Sequence, residues 1–104
     1  MTKKEFFITK LIPQIEEQIF GYEFQLIRNQ YILERLEKEL ANLNKSPIFQ
    51  DEENIEEILK EREEKRAQLE QQIEEVKRNL LYLPLMKEEE EKFLEYFKNY
   101  IEKL

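Results

Sequence analysis

The chain has no cysteine, no histidine and no tryptophan, and only one glycine and three prolines in 104 residues. Without cysteine there is no disulfide and no thiol nucleophile. Without histidine the usual general base near neutral pH is gone, and with it the commonest zinc ligand. A two-metal carboxylate site in a helical bundle uses a Glu-x-x-His pair on each of two helices, and no such pair can be written here. One glycine rules out a Gly-rich phosphate loop. The single serine, Ser46, falls in a turn with no base beside it. No apolar run approaches the roughly 20 residues of a membrane span. The apolar stretch 6–8 is too short for the core of a signal peptide. The expectation is a non-enzymatic protein with no cofactor, no metal and no membrane segment, placed in the cytoplasm.

What the chain has instead is charge and periodicity. Charged residues make up 39% and the net charge is −7. Residues 1–50 hold seven basic and seven acidic side chains, and residues 51–104 hold ten and seventeen, so the acidic excess lies in the second half. An acidic surface does not attract a phosphate backbone, which argues against direct nucleic-acid binding. Apolar residues recur in register, and 12% of the chain is aromatic. That combination fits long helices rather than disorder.

The dominant pattern is Ile12, Ile15, Ile19, Tyr22, Leu26, Asn29, Leu33, Leu36, Leu40 and Leu43. This unbroken 3-4 spacing predicts one long helix over 13–44, packed lengthwise on another helix. Ahead of it, residues 1–12 read as a short helix. Thr2 and Glu5 are spaced as a capping box, and Pro13 is expected to break or kink the chain. Residues 45–50 read as the turn, with Ser46-Pro47 as its signal and Ile48 and Phe49 closing the open end. A second long helix is predicted over 51–83, with the seam Ile55, Leu59, Arg62, Arg66, Leu69, Ile73, Val76, Leu80 and Leu83. The short turn implies antiparallel packing, with Leu36 opposite Arg62, Asn29 near Leu69, Gln68 and Gln72, and Ile19 opposite Leu80. Pro84 is expected to start a separate helix over 85–103, with Glu88 to Glu91 in its first turn. The fold class is therefore all-α, one domain. It is a long antiparallel, coiled-coil-like helical hairpin with short terminal helices, completing a helical bundle by dimerisation.

Three polar positions interrupt the seams. Asn29 reads as a satisfied amide that fixes register. Arg62 and Arg66 read as side chains whose stems cover apolar surface while their heads reach Glu34, Glu37 or water. A second apolar stripe, Phe20, Phe24, Ile27 and Tyr31, lies about 150° from the first at 100° per residue. A bare hairpin leaves it wet. It is expected to be covered by Phe93, Phe97 and Tyr100 of the C-terminal helix, from the same or another copy, or by a partner protein. These seven residues are the candidate partner-binding surface.

The function expected from this pattern is a protein-protein interaction or assembly module acting through helix faces, as a homodimer. The alternative is a small acidic inhibitor, of the kind carried by phages and mobile elements. It would occupy a basic groove of a nucleic-acid-processing enzyme with Asp51, Glu52, Glu53, Glu56 and Glu57, helped by residues 88–91.

Overall fold

The computed structural model describes residues 1–47 and 54–104. Ile48, Phe49, Asp51, Glu52 and Glu53, named above for the turn and the acidic surface, lie outside the described residues. The described chain is all α, without strands, and forms a helical hairpin. Its elements are α1 (Lys3–Phe6), a π-helical turn (Phe7–Leu11), α2 (Ile12–Lys45) and α3 (Ile55–Glu102).

The N-terminus begins as its capping residues dictate. The Thr2 hydroxyl accepts from the Glu5 backbone N–H at 3.2 Å, and the Phe6 N–H donates to the Thr2 carbonyl at 3.0 Å. Pro13 does not break the helix. It sits in the first turn of α2, directly after the π turn, in which the Ile12 N–H reaches back to the Phe7 carbonyl. A proline ring crowds the carbonyl four residues earlier and offers it no N–H. The wider π turn relieves that crowding while helical bonding continues. The extra residue also turns Phe7 inward. Phe7 is half-buried and Ile8 is exposed, whereas unbroken α spacing back from Ile12 would have put Ile8 on the seam.

Pro84 does not end a helix either, because α3 runs through it for 48 residues. The predicted division into helices 51–83 and 85–103 is thus corrected to one helix. The reason is visible in its packing line. Leu80, Leu83, Lys87, Glu90, Leu94, Phe97 and Ile101 keep the 3-4 spacing straight across Pro84, and each is buried or half-buried. Continued packing on one face outweighs the roughly 3 kcal/mol that an interior proline costs. Glu88 to Glu91 are therefore mid-helix, where a helix dipole does not favour them.

By internal contacts the chain forms two units, Met1–Arg28 with Leu80–Leu104, and Asn29–Asn79. In the second unit Leu36, Leu69, Ile73 and Val76 are buried, along with Asn29. The two helices of the hairpin run antiparallel there, since Asn79 Nδ2 donates to Asn29 Oδ1 at 3.3 Å and Arg66 Nε to Asn44 Oδ1 at 3.1 Å. This register differs from the predicted one. Asn29 lies by Asn79 rather than Leu69, ten residues along α3, or about 15 Å. The predicted register sets the two helix ends level across a short turn. Instead Arg66 is level with Asn44, so the first turns of α3 run beyond Lys45. Leu36 thereby faces the level of Ile73, not Arg62, and the seam at the start of α3 passes through half-buried Ile58 rather than exposed Leu59.

In the first unit only Ile19 and Ile101 are buried among the described residues. Half-buried Ile15, Tyr22, Leu26, Leu83 and Leu94 extend this thin core. Phe7 packs on Phe97 with ring centroids 5.2 Å apart, and Lys3 Nζ lies 5.8 Å from the Phe7 centroid.

Candidate functional site

Most large apolar side chains of an ordinary helical pair end up between the helices. In this chain many do not. Among the described residues, all the exposed large apolar side chains except Tyr31 and Leu59 belong to the first unit. There, Phe20 is 61% exposed, Phe24 56% and Ile27 66%. Tyr31, the fourth member of the predicted stripe, is 65% exposed in the second unit. The C-terminal part of α3 of the same chain does not cover them. Phe97 is taken by Phe7, and Phe93 stacks on Phe97 at 6.0 Å with 13° between the rings.

The geometry of the first unit follows from helical angles. On α2 the Phe20, Phe24, Ile27 line lies about 140° from the buried line through Ile19, turning past Glu16 and Glu23. On α3 the side chains Tyr82, Met86, Phe93, Tyr96 and Tyr100 are all exposed. They form a second 3-4 line about 100° from the buried line, on the side away from Lys87. Lys87 and Glu23 bridge the two helices at 2.9 Å, so that bond marks one side of the pair. The α2 stripe is on the marked side and the α3 stripe on the other. The pair is apolar between its helices and on both outer sides. The predicted C-terminal face of Phe93, Phe97 and Tyr100 mixed these two lines: Phe97 points into the unit, while Phe93 and Tyr100 point out.

Beside Phe20 lies a shallow depression of about 260 Å³, lined by Glu16, Glu23, Glu91 and Lys87 as well as Ile19 and Leu94. Lys87 Nζ bonds Glu23 at 2.9 Å and Glu91 at 3.7 Å. The Glu23 bond holds the Lys87 ammonium above its ordinary value, with both carboxylates adding to the effect. Sequence reasoning missed this pair. Its signal was the α3 spacing itself, which puts Lys87 at a packing position.

The polar core residues are placed as follows. Asn29 is buried and bonded, and no buried side-chain polar atom among the described residues lacks a partner. Arg66 pairs with Asn44 and with Glu63 at 3.0 Å, not with Glu34 or Glu37. Arg62 is half-buried. Glu56 and Glu57 are exposed in the first turn of α3. Glu88 and Glu91 face Lys92 and Lys87 at 3.5 Å and 3.7 Å. Among the described residues, no group of three acidic side chains is arranged to hold a metal ion, and no helix is long and apolar enough to cross a membrane.

Comparison with family models, curated proteins and solved structures finds no match to this chain.

Proposed function

We propose that the chain is a non-enzymatic assembly module that associates with a second copy through the first unit. The observation that supports this most is the disposition of apolar surface there. The helix pair buries only Ile19 and Ile101, with a half-buried fringe, yet exposes Phe20, Phe24, Ile27, Tyr82, Phe93 and Tyr96. Contiguous exposed apolar surface of this kind marks an interaction site. Small thin domains commonly complete their burial by oligomerising.

The test is Phe24→Asp. Phe24 is exposed in the single chain, so the change should cost the isolated chain no more than about 0.5 kcal/mol. Burying the carboxylate between two copies would cost far more. The expected outcome is a helical protein with the mass of one chain and a Tm that no longer rises with concentration. A mass and Tm equal to those of the wild type would overturn the proposal.

A further inference from the structure

We infer that the second copy lies parallel and in register, α2 against α2, along Phe20, Phe24 and Ile27. This rests on the assembly reading above and adds the orientation of the partner. The spacing of the stripe is that of coiled-coil core positions, with Phe20 and Ile27 at d and Phe24 at a. Glu16 and Glu23 then occupy g positions along one edge, and Gly21 and Arg28 occupy e positions along the other.

The two edges differ in charge. The g edge belongs to the depression beside Phe20, where Glu16, Glu23 and Glu91 surround the single ammonium of Lys87. That edge is net negative. The e edge carries the Arg28 guanidinium and, at Gly21, no side chain at all. A Cβ built on Gly21 meets nothing within 4 Å, so there is open room beside the stripe. An antiparallel contact would set g edge against g edge and crowd the carboxylates of both copies together. A parallel contact sets g against e. Glu23, which holds Lys87 through Oε1, then faces Arg28 of the second copy, and the reverse pair forms by symmetry. Like charges are separated and opposite charges meet in two places.

The absence of cysteine makes the orientation directly testable. Phe20→Cys and Ile27→Cys are made singly, oxidised under native conditions, and also mixed and oxidised. In a parallel, in-register contact each variant cross-links to itself. In an antiparallel contact identical positions stand roughly 10 Å apart along the axis, too far for a disulfide, and only the mixture links, as a Phe20→Cys with Ile27→Cys pair. Arg28→Gln gives an independent readout without touching the stripe. Loss of two rim pairs should raise the dimer Kd about two- to tenfold. In the antiparallel contact, with Phe20 opposite Ile27, the two Arg28 side chains stand about 13 Å apart along the axis and away from the g-edge carboxylates, so the change would leave the Kd unaltered. Self-linking with a raised Kd is the expected result. A stable dimer that yields only the mixed disulfide would overturn the orientation and leave the assembly reading standing. A single-chain mass at every concentration would overturn both.

Discussion

Asn29 and Lys87 show what single positions do when they fall on a packing line. Asn29 sits at a core position among buried aliphatic side chains and bonds Asn79 across the hairpin. Polar core residues of this kind give up stability in exchange for register. Asn29→Leu is expected to raise the thermal midpoint by a few degrees, equivalent to about 1 kcal/mol. A lowered midpoint would show that the amide's hydrogen bonds outweigh apolar burial there. Lys87 acts differently. Its ammonium is held above the ordinary value of 10.5 by Glu23 and Glu91. A raised folded-state value means that its contribution to stability is complete below 10.5 and fades as pH climbs through the raised value. Lys87→Met should therefore melt below wild type at neutral pH, with the two curves converging in strongly alkaline solution. A gap that stays constant would mean that Lys87 stabilises through its stem alone. Asn29 as a buried amide was legible from the 3-4 spacing. Its partner was not, because that depended on a register that local spacing does not set.

At the scale of elements, both prolines were legible as punctuation; before Pro13 the helix does change, through a π turn, whereas at Pro84 packing overrules the proline. A proline breaks a helix when nothing beyond it continues the buried line. Past Pro84 the line continues unbroken through Leu94 to Ile101. Counting that line through the proline would have revealed one helix, and would also have placed Lys87 inside it. At Pro13 the π turn offers a sharper test. If the turn exists to relieve the proline ring, Pro13→Ala should let ordinary α-helix form back to Lys3, rotating Phe7 off the seam and bringing Ile8 onto it. Phe7→Ala should then destabilise the wild type more than Ile8→Ala, and the order should reverse in the Pro13→Ala background. The same order in both backgrounds would mean that the Phe7–Phe97 contact, rather than the proline, selects the π turn. The first long helix, in contrast, was legible almost to the residue, because ten seam positions in regular alternation leave little freedom.

For the whole molecule, apolar exposure and charge call for different partners. The exposed aromatic and aliphatic side chains are concentrated in the first unit. Much of the acidic excess on the nearby α3 segment is answered locally, since Lys87 and Lys92 face Glu91 and Glu88. Contact through the stripe should change little between low and moderate salt. Binding through exposed carboxylates to a basic groove would weaken steeply over the same range. Dissociation constants compared at two salt concentrations would separate these modes. The two-sided character of α2 was evident in the sequence as a second stripe. That α3 carries an outward stripe of its own was hidden, because Phe93, Phe97 and Tyr100 read as one face until the register divided them.

The most direct measurement is solution mass by light scattering across a concentration series, for wild type and Phe24→Asp side by side. One chain is 12.9 kDa. The expected result is a wild-type mass twice that value, persisting at moderate salt, and a Phe24→Asp mass of one helical chain. A wild type that remains at the mass of one chain at every concentration would contradict the account.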